Sequence, residues 1–398
     1  MSNICLYFQI HQPWRLRDFS VFEIGQSHKY FNTSSEVNYD NGRVTRKVAE
    51  KSYRPMMNLL LTLLNQNPNF KFALSITGVA LEQIKMFTPD ILELLQELVK
   101  TNRVEILAET YHHTLASLYS PKEFLEQINL HRQLVKNIFN VTPTVFRNTE
   151  LIYTNDVARM IQEAGYQGML AEGADKILNG RKPTHIYKSP SGLPLLLKHY
   201  QLSDDIAFRF SETAKSNKPL TADTYSHWIS SSFSSEEYVN LFMDFETFGE
   251  HQWVDTGIFD FFSHFVHKFT ETSNSFVLPK EIINQPPTDT FDSADPVSWA
   301  DVDRDITAWR GNSLQYDALS VIYSLEDKIL KAKDSELIAD WRKLQTSDHF
   351  YYMCTKWAND GDVHAYFSPY KSPYQAYVNY NNVLSSLKWR LNNLNKHG

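Results

Sequence analysis

Six short apolar runs constrain this chain more than any other feature: ICLYFQI (4–10), FKFALSIT (70–77), RVEILAE (103–109), TPTVFRN (142–148), YQGMLAE (166–172) and YVNLFMDF (238–245). Each has the length and apolar density of a strand, and segments with helical spacing lie between them. Strands that alternate with helices predict a parallel sheet covered by helices. The helices carry their own start signals. Ser120, Pro121 and Glu123 supply an N-cap, an N1 proline and a capping-box acid, and Thr88 and Pro89 open DILELLQELVK. Beyond about residue 300 the strand runs stop. There SLQYDALSVIYSLEDKIL, SELIADWRKLQ and SPYQAYVNYNNVLSSLKWRLNNL place apolar residues three and four apart, which predicts a helical region packed on the sheet. The Pro-, Asp- and Thr-rich stretch LPKEIINQPPTDTFDSADP suits the boundary. The expected division is a domain of residues 1–295 followed by a helical domain of residues 296–398.

Composition narrows the partners. At 398 residues and 42% apolar, the chain can bury a sizeable core. A formal charge of -7 offers no basic field for phosphate backbones, so nucleic acid is a poor partner and a neutral or cationic ligand an easier one. Aromatic residues make up 14% of the chain, enough to fill a core and still leave flat platforms for a ligand. The start MSNICLYFQIHQPW lacks the basic, apolar and cleavage features of a secretory signal, and no apolar run is long enough to cross a membrane. Cys5 and Cys354 read as structural thiols in a reducing compartment. The expectation is a soluble cytoplasmic protein with no membrane partner.

Polar clusters follow the strand runs: HQP (11–13), ETYHH (109–113), NTE (148–150) and DFE (244–246). In a parallel barrel the downstream strand ends converge on one face, where active sites are built. A strand buried on both faces has few places for a charge, so these acids are expected to point into a cleft at its mouth. Glu150 and Asp244 would then face each other although 94 positions separate them (244 − 150). Two opposed carboxylates suit cleavage of a glycosidic bond. One attacks the anomeric carbon while the other, kept protonated by its surroundings, donates to the leaving oxygen and later activates water. Strand alternation predicts Asp244 and Glu246 on one side and Phe245 on the other, leaving Glu246 to orient a sugar hydroxyl. Taken singly, the same residues have plainer roles. An acid at a strand end more often caps a helix or joins a salt bridge. His11, His112 and His113 serve equally well as hydrogen-bonded structural groups. Trp14, Trp253, Trp299 and Trp309 default to packing, although Trp253 follows the acidic cluster closely enough to be a sugar platform.

The motifs FQIHQPWRLR, VEILAETYHHTLASL, VFRNTELIY, LFMDFETFGEHQW and DRDITAWRGNSLQYDAL, completed by SDHFYYMCTKW and VHAYFSPYKSPYQAYVNYNNVL, span nearly the whole chain. In content and order they resemble those of family 57 glycoside hydrolases, especially the short α-amylase branch. The resemblance implies an α/β fold, namely an incomplete seven-stranded (β/α) barrel followed by a C-terminal helical bundle that closes part of the cleft. It also implies retention of anomeric configuration and no cofactor or metal. By position, Glu150 matches the catalytic nucleophile, Asp244 the acid/base and His11 a substrate-contacting histidine. Glu109, Glu246, His251, Trp253, Asp305 and Trp309 occupy motif positions that line the cleft. The implied substrate is an α-1,4-glucan of the starch or glycogen type, or a maltooligosaccharide, cleaved by water. The 4-α-glucanotransferases and branching enzymes of the family use the same acid pair with a sugar hydroxyl as acceptor. Two readings of other classes stay open. A metal-dependent polysaccharide deacetylase or mannosidase would take ligands from ETYHH and His11, although the chain has no His-x-x-x-His pair. A non-catalytic glycan-binding protein would need the aromatic cleft without working acids.

Overall fold

A computed structural model describes residues 2–31, 40–214, 219–272, 274–356 and 368–394. Trp357 and residues 363–367, which belong to the last two motifs, lie outside them. The strands are β1 (Asn3–Ile10), β2 (Phe72–Ile76), β3 (Val104–Ile106), β4 (Val145–Arg147), β5 (Gly168–Glu172), β6 (Tyr187–Lys188), β7 (Pro194–Lys198), β8 (Tyr238–Asp244), β9 (Ser275–Phe276) and β10 (Asp289–Thr290). Each of the six apolar runs forms a strand. The strand β7, PLLLK, lies outside them: it opens on proline and has no β-branched or aromatic residue, so its composition does not mark it.

The strands form two sheets, ordered β3-β2-β1-β8 with β9 also on β1, and β10-β6-β7-β5-β4. Every pairing is parallel except β6 with β7. Two seams connect the sheets. At one, Ala108 bridges to Phe146, with Ala108 N–H donating to Val145 O at 2.9 Å and Arg147 N–H to Ala108 O at 2.8 Å. At the other, His199 N–H donates to Asn240 O at 2.9 Å and the Asn240 side chain returns a bond to Leu197 O at 2.8 Å.

Strand alternation then sorts the side chains. Along β1, Ile4, Leu6, Phe8 and Ile10 face one apolar cluster, while Cys5 and Tyr7 face another that also holds Ala73, Leu107, Val145, Leu170, Leu196 and Phe242. That second cluster draws two residues from β1 and one of those named from each of six other strands or their ends, so it is the interior between the sheets. Two positions downstream on the same rows come Gln9, Ser75, Glu109, Arg147, Glu172, Lys198 and Asp244. The interior is thus apolar at its base and polar towards the downstream strand ends.

The C-terminal third is helical, with helices that include Ser313–Ser324, Ser335–Lys343 and Pro373–Leu394. Leu319, Trp341 and Tyr380 from this part share one buried cluster with Phe146, Val157 and Met169. The helices therefore pack on the β4–β5–β7 side as one continuous core. The helix Pro121–Phe139 has the predicted N-cap, with Ser120 Oγ accepting from Glu123 N–H, and the predicted N1 proline, but Glu123 is not a capping-box acid: its carboxylate accepts from Gln127 and Arg342, and Ser120 N–H donates to Ala116 O. Among the described residues no helix is long and apolar enough to cross a membrane.

Candidate active site

Beyond β4 the chain tightens into a 3-10 turn, Thr149–Leu151, capped by Asn148. Within it Glu150 has φ 56° and ψ 26°. A non-glycine residue in this left-handed region costs roughly 1 to 3 kcal/mol and persists only where the surroundings over-determine it. Here they do. His113 Nε2 lies 3.1 Å from Glu150 Oε1, Ser347 Oγ donates to the same oxygen at 3.2 Å, and Trp299 Nε1 donates to Oε2 at 2.7 Å. Burial pushes the Glu150 carboxyl up, but the His113 hydrogen bond and charge, the Arg147 charge and the Trp299 bond bring it below the ordinary value. Glu150 is an ionised carboxylate with three donors.

His113 is the centre of this support. Its Nδ1 lies 3.5 Å from Glu109 Oε2, so the ring stands between two acids. Burial lowers its pKa, and the bonds to Glu109 and Glu150 more than reverse this, to about 9. His11 stacks on the His113 ring, with centroids 4.1 Å apart, and bonds to Thr77 Oγ1 and Asp348 Oδ2 at 2.9 Å each. Burial and the neighbouring His113 charge lower the pKa of His11.

Asp244 ends β8 in extended conformation, and its side chain caps no helix. Burial and the Glu150 charge raise its pKa, against the pull of His251, Arg147 and Lys198. The two acids sense each other and are tuned in opposite directions.

The structure separates the other expected site residues. His11 meets the site through the His113 ring, and the charge of His251 acts on Asp244. Glu109 is fully buried behind His113, so it supports that ring and does not line a cleft. Glu246 departs from the alternation argument because β8 stops at Asp244 and Phe245–Thr247 is a 3-10 turn. Phe245 packs on Phe8, and Glu246 is buried, with Tyr53 and Gln12 donating to its Oε1. Burial and the Asp244 charge raise Glu246 to about 8. Gly249 closes the turn with φ +103°, and a Cβ there would meet Lys51 O at 1.9 Å, so only glycine fits. Asp305 serves its own turn, accepting from Thr307 N–H and Oγ1. Trp309 is a core residue, 2% exposed, in the cluster with Leu319 and Tyr380. Trp253 is 54% exposed and lines a groove of about 870 Å³ with Lys51, Leu59, Val254 and Phe259, and neither acid of the pair is among its lining residues. The histidines of ETYHH are occupied as well: His112 Nδ1 lies 2.9 Å from Gln127 Oε1, and both His113 nitrogens face carboxylates. Among the described residues no three His, Cys, Asp or Glu side chains are grouped to hold a metal ion.

Three contributors were not marked by the sequence, Trp299, Ser347 and Asp348, whereas His113 takes the hydrogen-bonded structural part that the sequence left open for it. The one available signal was that Ser347 and Asp348 open the SDHFYY motif.

Two acids at the mouths of β4 and β8, strands that do not pair, one favoured as the ionised form by its donors and one pushed towards protonation, are the equipment of a glycoside-cleaving enzyme. The family description "Glycosyl hydrolase family 57" matches residues 5–294, and the chain belongs to that family. A Methanocaldococcus jannaschii protein named "Putative alpha-amylase" is 39% identical over 98% of this chain and 85% of its own length. Among solved structures, a family 57-type branching enzyme from Pyrococcus horikoshii superposes with a TM-score of 0.68 at 13% identity, over 91% of this chain and 87% of that one. A 4-α-glucanotransferase from Thermococcus litoralis gives 0.64 at 16%, and the match takes in 88% of this chain but only 56% of the transferase. At such identities the solved structures establish likeness of fold.

Proposed function

We propose that this protein is a retaining glycoside hydrolase that cleaves α-1,4-glucosidic bonds in starch- or glycogen-type glucans or maltooligosaccharides in the cytoplasm. The opposite tuning of Glu150 and Asp244 carries the reading. Glu150, ionised, attacks the anomeric carbon and forms a glycosyl-enzyme, while Asp244 protonates the departing oxygen. Asp244, now a base, takes a proton from water as the ester is hydrolysed. His11 and His251 flank this pair and contact the sugar. The seven strands β1–β5, β7 and β8, linked at both seams, are read as the incomplete (β/α) barrel of residues 1–295. The helical part, 296–398, closes one side of the cleft, a reading supported by the reach of Ser347 to Glu150 and of Asp348 to His11. Transfer to another glucan uses the same two acids and differs only in the acceptor.

The test is incubation with amylose and maltooligosaccharides while chain length and anomeric configuration are followed. Shorter products that begin in the α-configuration are expected. Redistributed chain lengths without net hydrolysis would move the enzyme to the transferases, and β-configured first products would remove the double displacement.

A further inference from the structure

The interior rows end in a ring of residues whose type alternates from strand to strand. In order around β3, β4, β5, β7 and β8 they are Glu109, Arg147, Glu172, Lys198 and Asp244, acid and base by turns. Arg147 is fully buried, and none of its three guanidinium nitrogens has a hydrogen-bond partner among the described residues. What it meets instead is the Trp299 ring, whose centroid lies 4.8 Å from the Arg147 guanidinium and 5.3 Å from Lys198 Nζ. Both cations are placed to be attracted by the electron-rich ring. The indole is thereby seated on two charges of the ring below. Its backbone N–H also donates to Glu150 O at 3.1 Å, and Arg304 donates to its carbonyl.

A carboxylate has about four lone-pair positions, two on each oxygen. On Glu150, Oε1 uses both, for His113 and Ser347, and Oε2 uses one, for Trp299. Among the described residues no donor takes the fourth position, which belongs to Oε2. Taking Glu150 as the nucleophile, we infer that Oε2 is the oxygen that attacks the anomeric carbon, and that Trp299, seated on Arg147 and Lys198, is the positioning residue that aims it. The free lone pair of Oε2 forms the bond to the anomeric carbon as the glycosidic C–O bond breaks. The departing oxygen keeps that electron pair and takes the Asp244 proton. Oε1 becomes the ester carbonyl oxygen and keeps both of its donors. Water then restores the carboxylate and returns a proton to Asp244.

Trp299→Phe retains an aromatic face for the two cations and removes the N–H together with one ring of the indole; benzothienylalanine at position 299 removes the N–H alone. On maltooligosaccharides, kcat is expected to fall about 10- to 100-fold with KM within about threefold, the loss of one hydrogen bond to a charged group. The acidic limb of kcat/KM should move up by about one pH unit, because Glu150 loses a donor to its ionised form. Ser347→Ala, which strips a donor from Oε1, should move the same limb with a clearly smaller loss of kcat. Should Trp299→Phe fail to fold, benzothienylalanine at position 299, isosteric with Trp and lacking the N–H, carries the same test. Equal kcat losses in the two variants, or an unmoved acidic limb without the indole N–H, overturn the inference. Glu150→Gln is the control: if it stays active the nucleophile assignment fails, whereas if it is inactive and Trp299→Phe matches wild type only the role of Trp299 fails.

Discussion

Glu150 and Asp244 are both acids at the ends of parallel strands, yet the mouth of β4 and the mouth of β8 surround them very differently. At β4 the backbone turns left-handed and three donors converge on the carboxylate. At β8 the backbone stays extended, the Asp244 side chain makes no cap bond, and no donor is among the causes that shift its pKa. Burial raises the pKa of both; what separates them is the presence of donors to the charged form. The pKa values of two similar residues can thus be moved in opposite directions by their neighbours, and the comparison can be broken at either end.

The largest effect is expected at β4. Glu150→Gln keeps the shape and removes the attacking charge, so turnover should fall more than about 10³-fold on any glucan, and a good leaving group should not restore it. Retained activity would end the contrast between the two mouths. Next comes β8. Asp244→Asn should cost about 10²- to 10⁴-fold on glucan and much less on aryl glycosides, whose phenolate leaves with little protonation, and mass spectrometry should find the glycosyl-enzyme accumulating. The pH profile sharpens this. Wild type should lose activity as pH falls through the lowered Glu150 pKa, which protonates the nucleophile. It should also lose activity as pH rises through the raised Asp244 pKa, which deprotonates the acid. Asp244→Asn should keep the first limb and lose the second. Similar losses on both substrates with no trapped intermediate would make Asp244 a structural residue. The smallest effect is expected outside both mouths: Trp253→Ala should change kcat and KM on short maltooligosaccharides by no more than about twofold. A steep rise in KM would return Trp253 to the cleft.

What the sequence made legible follows from the range of each interaction. The six runs are local patterns, and each became a strand; β7 has no such pattern and is a strand because β5 and β8 flank it. Glu150 and Asp244 stood out because a charge ending a doubly buried run must point somewhere polar. Glu246 could not be placed by alternation alone, which holds only while the strand lasts, and β8 stops two residues earlier, yet the charge of Asp244 still acts on it. Trp309 sits in a motif, but sequence alone does not separate a conserved-looking core aromatic from a cleft one, and burial decides for the core. The donors to Glu150 were hidden for another reason. They lie 37, 149 and 197 positions away, and no periodicity links residues at such distances.

Those separations also set when the site comes into being. Local helices and hairpin-like contacts form early in folding, whereas contacts between distant positions wait for large loops to close. Two of the three donors that orient Glu150, from positions 299 and 347, belong to segments synthesised long after the turn they hold. On the proposed mechanism, a growing chain carries both acids well before Glu150 is aimed, and its chemistry should stay silent until the segments that hold positions 299 and 347 have docked. Enzymatic activity in this architecture is accordingly a report on the completeness of the whole fold, more stringent than secondary-structure content, and recovery of turnover during refolding should lag behind recovery of the helical signal.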